Sequence, residues 1–203
     1  MATTTETTTI MTTITTTVRP LVSLTNPGDT IISVYNTSAG GPVGGVNGYS
    51  PAGEGPTNAI DHNITTKYLN CGFRGCTGGS LDSPGVGTGY IVVPAISNAT
   101  IARALLFATA NDRPNRDPLT VTLEGSTTSD ASSLYSAASW TLICNVSTGI
   151  NVAVDPGRDV YIAPQNFSNI TPYRSYRLLI TSQRNYSDSV QYAEGRILGY
   201  VAP

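Results

Sequence analysis

Seven asparagines of the chain stand in Asn-x-Ser/Thr sequons: Asn36, Asn63, Asn98, Asn145, Asn166, Asn169 and Asn185. An asparagine amide in that setting accepts an N-linked glycan in the secretory pathway. Seven of the 14 asparagines lie in sequons, against roughly a quarter expected by chance from a Ser/Thr-rich composition. The set therefore points to an extracellular or cell-surface protein, with accidental sequons as the competing reading. Cys71 and Cys76 bracket the short stretch CGFRGC, and a disulfide there suits an oxidising compartment. Cys144 is left over. It alternates with Trp140 and Leu142 in WTLIC, which reads as a buried free thiol or as a bridge to another chain. One histidine and no Cys-x-x-Cys argue against zinc. A Ser-His-Asp or Cys-His set would have to use His62, the single histidine. No Gly-x-Ser-x-Gly, P-loop or dinucleotide fingerprint is present. The chain is expected to bind or assemble and not to catalyse. Asp112, Arg113, Arg116 and Asp117 crowd one short stretch, either as a local ion-pair network holding a turn or as a polar ligand site.

The elements that carry these residues are short. The 203 residues suffice for one domain with its own core. Charged residues make up 12%, about half the usual share of roughly 25%. With a net charge of −2 and no basic stripe, nucleic acid and anionic membranes are poor partners. No apolar run approaches the ~20 residues of a membrane span. The N-terminus MATTTETTTIMTTITTTV has neither the basic nor the apolar region of a secretory leader. From residue 19 onward the pattern is strands split by turn chemistry. VRPLVSL, TIISVY, GYIVVP, ARALLFATA, LTVTLEGS, SWTLICN, DVYIAP, SYRLLITSQ and YAEGRILGYV read as strands, with a Gly/Pro-rich loop over residues 39–56. Tyr176, Leu178 and Ile180 face one way and Arg177 and Thr181 the other. Val121 and Leu123 alternate with Thr120, Thr122 and Glu124. Trp140 reads as core. No long 3.6-residue period occurs, so the expected class is all-β, a jelly-roll sandwich over residues 19–203.

Two stretches carry a resemblance. EGPTNAIDHNITTKYLN spans residues 54–70. FATANDRPNRDPLTVTLEGS spans residues 107–126 and is followed by WTLI, SYRLLI and QYAEGRILG. In order and spacing they resemble the discoidin, or coagulation factor 5/8 type C, domain, over about residues 20–199. The resemblance implies a galactose-binding-like jelly roll and a structural Ca²⁺ held by oxygen ligands. Carried over by position, Asp61 and Glu194 supply carboxylates. Asn58, Asn63 and Ala193 supply carbonyls, and Thr66 a carbonyl and a hydroxyl. The family usually has Gly after the Asp, where this chain has His62, so the loop geometry is a point for the structure to decide. The resemblance also implies glycan contacts from Arg or His beside an aromatic face at one end of the sandwich. His62, Arg74, Arg113, Arg184, Tyr173 and Tyr186 are the candidates.

Residues 1–18 are a Thr-rich segment that such a domain does not need. As a linker the segment would be O-glycosylated. As a strand it would present Ile10, Ile14 and Val18 on one face. Extended, 17 residues reach roughly 55 Å, beyond the ~40 Å diameter of a globule of this size. Such a strand would add to a neighbour's sheet edge, and a head-to-tail contact propagates. The expected function is a subunit of an extracellular, glycosylated, self-assembling filament. The alternative is a Ca²⁺-stabilised carbohydrate-binding module.

Overall fold

The computed structural model describes Met1 and residues 19–73, 75–76, 85–96, 98–150 and 153–202. Ile10, Ile14, Val18 and Arg74 lie outside the described residues. In chain order the strands are β1 (Val22–Ser23), β2 (Thr30–Tyr35), β3 (Gly45–Val46), β4 (Tyr68–Asn70), β5 (Gly89–Val93), β6 (Thr100–Ala108), β7 (Pro118–Ser126), β8 (Thr141–Ser147), β9 (Gln165–Asn166), β10 (Ser175–Gln183), β11 (Val190–Tyr192) and β12 (Glu194–Val201). Among the described residues helical structure is confined to short 3-10 turns. No helix among the described residues is long and apolar enough to cross a membrane.

The strands form a sandwich. One sheet has the order β1-β12-β6-β9 and the other β3-β2-β5-β10-β7-β8, with a β11-β4 ribbon at the side. All pairings among the described residues are antiparallel, as expected of a jelly roll. The alternation read in the sequence sets the inner faces. Tyr176, Leu178 and Ile180 of β10 and Val121 and Leu123 of β7 meet Leu105 and Phe107 of β6 and Ile197 of β12 in the core. Tyrosine fills much of this core, and each buried hydroxyl needs a partner. Tyr68 donates to Gly89 O at 2.9 Å, Tyr176 to Thr100 O at 2.6 Å, and Tyr90 to Gly195 O.

Four expectations change. VRPLVSL contributes only Val22–Ser23 to a strand. DVYIAP yields a single bridge, Tyr161 to Ala108, because Pro164 cannot donate to a ladder. The Gly/Pro-rich loop contains β3. The WTLIC alternation is broken by a register shift opposite Leu123 and Glu124. Leu142 therefore pairs with Glu124 on the outer face and is 55% exposed, while Cys144 pairs with Leu123 toward the core and is only half-buried. Burial pushes the Cys144 thiol up to about 12.

The outer face of the six-stranded sheet carries a second, smaller apolar layer of Val34, Ile91, Leu134, Trp140 and Leu179. Trp140 is thus buried, but outside the space between the sheets. Its indole N–H donates to Leu134 O at 2.9 Å. Beneath it lie Arg177 and Glu124, both fully buried. The guanidinium donates to Glu124 through Nε at 2.7 Å and Nη2 at 3.0 Å, and to Gly41 O at 3.0 Å. Gly40 N donates to Glu124 Oε1 at 2.7 Å, and the Trp140 ring lies 4.8 Å from the guanidinium carbon. The pair ties the segment after β2 down onto the sheet. Glu124→Ala strands a buried cation and is expected to cost about 3–5 kcal/mol, whereas Glu124→Leu with Arg177→Met restores most of it. Chemical denaturation of the two variants checks this.

Candidate functional site

Two places in the sandwich gather chemistry. The first joins an early loop to the last strand. The 3-10 turn Pro56–Ile60 ends on Asp61, with Ala59 and Ile60 anchored in the core. Asp61 then organises the loop. Its carboxylate accepts from Asn63 N at 2.9 Å and from Thr66 Oγ1 at 2.6 Å, and Thr66 Oγ1 also donates to Asn63 O at 2.8 Å. The Asn58 amide closes the loop by donating to Gly53 O at 2.7 Å and Lys67 O at 2.8 Å. His62 takes a left-handed backbone with φ of 65°, the conformation that glycine adopts without cost. Its Nε2 lies 3.1 Å from Thr25 O, and Thr25 Oγ1 accepts from Ile197 N of β12 at 3.1 Å. The departure at His62 therefore leaves the turn geometry intact.

Glu194 opens β12 against this loop. Its side chain is fully buried and neither carboxylate oxygen has a hydrogen-bond partner among the described residues. Burial pushes its carboxyl up to about 8; Arg196 pulls it back and Asp61 pushes it further. A buried carboxylate beside a second carboxylate is costly unless a cation offsets it. No group of three His, Cys, Asp or Glu occurs among the described residues. Beyond the two carboxylates, the available donors are carbonyl and hydroxyl oxygens, a set that fits a hard divalent cation.

The second place is the end of the sandwich where β2, β6, β8 and β10 finish. The ribbon pairs Val190 with Asn70, so the loop after β4 and the loop before β11 emerge there together. The first of these is closed by the Cys71–Cys76 disulfide. Asn70 Oδ1 accepts from Gly72 N at 2.8 Å, Tyr49 N donates to Gly72 O at 2.8 Å and Cys71 N to Tyr49 O at 3.0 Å. The result presents Phe73, 75% exposed, with the Tyr35 ring 5.9 Å from its own and Tyr49 also exposed. Gly48 permits the close approach, because a Cβ there would press on Asn70, the Tyr35 ring and Gly72 O. Beside them a cleft of about 340 Å³ is lined by Asn36, Thr37, Val86, Gly87 and Thr181, among others. On the neighbouring loop Tyr186 is 58% exposed.

The charged stretch lies at this end too, but its pairing is not local. Asp117 is fully buried and clasped by Arg158, at 2.8 Å to each oxygen, and by Arg184 at 3.2 Å. Asp112 pairs with Lys67 at 2.7 Å and Arg116 with Asp188 at 2.9 Å. The loops before β7 and after β10 are thereby fastened together, helped by Asn185 N donating to Asn115 O at 3.1 Å. Of the candidates for glycan contact, Arg113, Arg184 and Tyr186 share this end. His62 belongs to the other site. Tyr173 is excluded, because its ring is buried in the core. Phe73 and Tyr49 were missed in the sequence, where only the flanking cysteines marked the loop of Phe73 and only Gly/Pro content marked that of Tyr49. Asn36, Asn63, Asn98, Asn145, Asn166 and Asn185 are exposed. Asn169 is half-buried, its amide donating to Ala102 O at 3.2 Å and Thr171 O at 3.0 Å.

No family model matches the chain, and no curated protein does. Solved structures do. CBM32-3, a domain of a family 31 glycoside hydrolase from Clostridium perfringens, superposes with a TM-score of 0.54 at 14% identity, over 75% of this chain and 86% of that one. A Clostridium perfringens CBM32 domain in complex with GalNAc-β-1,3-galactose gives 0.50 at 9%, over 82% and 94%. The F5/8 type C domain of a Bacteroides fragilis protein gives 0.50 at 11%, over 85% and 93%. The fold is the discoidin-like, galactose-binding-like jelly roll. At these identities the likeness is one of fold, and it agrees with the resemblance read from residues 54–70 and 107–126.

The left-handed turn gives a direct check. His62→Gly is expected to hold stability within about 1 kcal/mol, while His62→Val loses about 1–2 kcal/mol, since a β-branched residue resists that conformation. Urea denaturation of both variants measures it.

Proposed function

We propose that this chain is a non-catalytic, Ca²⁺-stabilised glycan-binding domain of an extracellular glycoprotein. The observation that carries the binding reading is the exposed aromatic face of Phe73, held out on a disulfide-closed loop beside a cleft. Folding alone gives no reason to expose such a ring. Aromatic faces cover the C–H face of a sugar, while fixed polar groups select its hydroxyls. Phe73, Tyr49 and Tyr186 supply the faces. Arg113 and the polar rim of the cleft supply hydrogen bonds, and the clamps on Asp117 keep the neighbouring loop rigid, which lowers the ordering cost of binding. The likeness of fold to carbohydrate-binding modules supports the same reading, and galactose- and GalNAc-terminated glycans are the class to test first. The sequons and the disulfide suit an extracellular setting.

Asn58, Asp61, Asn63, Thr66, Ala193 and Glu194 would hold the cation. Bound there, it would offset the buried carboxylate of Glu194 and join the 54–70 loop to the start of β12. Its role is structural. The filament reading draws on residues 1–18, nearly all outside the described residues, and nothing in this site bears on it.

Two measurements test the proposal. Saturating Ca²⁺, at about 100 times its Kd, is expected to stabilise the domain by about 2.7 kcal/mol, a rise in Tm of about 5–10 °C. Chelation should reverse the rise and Glu194→Gln should abolish it. An unchanged Tm with Ca²⁺ would remove the cation from the proposal. Titration with GalNAc-β-1,3-galactose, followed by a glycan array, should show saturable binding. Phe73→Ala should weaken it at least about tenfold, or about 1.4 kcal/mol, without lowering Tm. Full affinity in Phe73→Ala would place binding elsewhere, and Tyr186→Ala and Arg113→Ala would then locate it.

A further inference from the structure

The sandwich is open along one side. β8 is the outermost strand of the six-stranded sheet and, among the described residues, pairs with β7 alone. The other outermost strands, β1, β3 and β9, are two residues each, whereas β8 offers seven. Exposed edges usually carry a lysine, a proline or an inward charge that blocks further pairing. The β8 sequence TLICNVS has none of these; its edge irregularity is the bulge between Leu142 and Cys144, which leaves Cys144–Ser147 in regular pairing with β7. On its inner side Cys144 and Val146 stand opposite Leu123 and Val121, in register with the core, yet both are only half-buried. Phe167, just past β9 in the facing sheet, is likewise half-buried against the core. Among the described residues the core is therefore only partly covered between β8 and β9, where a further strand would close it.

The chain itself contains a segment with the right chemistry. Residues 7–18, TTTIMTTITTTV, carry no charge and no proline and are rich in β-branched residues. In an extended strand Ile10, Ile14 and Val18 share one face. Residues 2–18 reach about 56 Å when extended, and a seven-residue pairing uses about 23 Å of that. Pairing that reaches Val18 leaves no linker before Arg19, so the donor and acceptor domains would have to abut. The described domain begins at Arg19, whose guanidinium lies 4.9 Å from the Tyr200 ring and whose carbonyl accepts from the Tyr200 hydroxyl at 2.9 Å. That exit is on the β1–β12 side. β8 lies on the other side with β9, where Gly149 abuts Gln165 and Ile162. A segment that leaves one side and fits the opposite side suits a neighbour better than its own domain. Such a head-to-tail contact builds a ring where its rotation closes and an open filament where it does not.

We propose that the β8 edge accepts residues 8–18 of a second copy of this chain, with Ile10, Ile14 and Val18 entering beside Cys144, Val146 and Phe167. The interaction is strand addition, with backbone hydrogen bonds giving affinity and the three apolar side chains fixing register. It stands apart from the glycan-binding reading, which uses the loop end.

Cys144 supplies the test, because the chain has three cysteines and the other two are paired. Full-length Ile10→Cys, Ile14→Cys and Val18→Cys variants are oxidised with diamide and mapped by mass spectrometry. At least one is expected to give covalent multimers linked to Cys144 of another chain, at least tenfold above the opposite-face variant Thr13→Cys. In sedimentation velocity the unaltered chain should form concentration-dependent multimers, and full-length Ile10→Asp with Ile14→Asp should stay monomeric at unchanged Tm. A disulfide to Cys144 within one chain would overturn the second-copy occupant. Equal cross-linking on both faces, or a monomer at every concentration, would overturn the acceptor edge.

Discussion

A carboxylate placed at the start of β12 sets much of this architecture. Glu194 is fully buried, and neither of its oxygens has a hydrogen-bond partner among the described residues. Water is the cheapest partner for such a group, so removing it from water needs a compensating charge or donor. Asp61 faces it from the end of the 3-10 turn and adds a like charge. The strand cannot simply shift to relieve the pair. Gly195 and Arg196 are locked opposite Phe107 and Leu106, and Tyr90 donates to Gly195 O from the other sheet. The left-handed turn at His62 and the Thr25 contacts hold the loop in the same place. Sheet register and loop geometry thus combine to hold the Asp61 and Glu194 carboxylates close together, and the proposed cation would offset them.

Much of this was legible in the sequence, for physical reasons that differ by element. β10 and β7 were legible because one face is core, so period-two alternation survives over several residues. The meeting of the 3-10 turn's loop with the start of β12 was legible because their polar residues lie in two compact stretches, residues 58–66 and 193–194, and Asp61 comes to face Glu194. DVYIAP failed because composition favours a strand while Pro164 withholds a donor. WTLIC failed because one extra residue on β8 turns Leu142 outward and Cys144 inward, and a bulge leaves no mark in composition. The ion pairs of the charged stretch failed for another reason. Their partners, Lys67, Arg158, Arg184 and Asp188, come from remote parts of the chain. Proximity in sequence suggested partners that the fold instead keeps apart.

The outer face of the six-stranded sheet explains how a protein with few charges can bury two of them. Arg177 alternates out of the core beside Leu179, and the expectation for such a residue is solvent. Instead Trp140, Leu134 and the segment after β2 cover it. Glu124 satisfies both the guanidinium and Gly40 N, so nothing polar in the pair is left over. A pair of this kind gives little net stability over an apolar substitute. What it does give is position, because only one placement of residues 40–41 fulfils both hydrogen bonds. The cleft beside Phe73 is bordered by residues 36–39, so its shape depends on a pair buried under the adjoining segment.

The same economy of charge bears on the open side of the sandwich. Soluble sheets usually defend a long edge with charge, and the seven residues of β8 carry none. β8 is left with Thr, Asn and Ser between apolar residues, and its inward Cys144 and Val146 are half covered. An edge in that condition is either shielded or used. Asn145 lies in a sequon on β8 and pairs with Thr122 on the outer face, so a glycan there would leave the face away from the core and not fill the space beside Cys144 and Val146. Shielding from that residue would guard the sheet's surface while the apolar gap between β8 and β9 stays open to a strand. The gap and the edge are therefore separable problems, and the strand addition proposed above would address both.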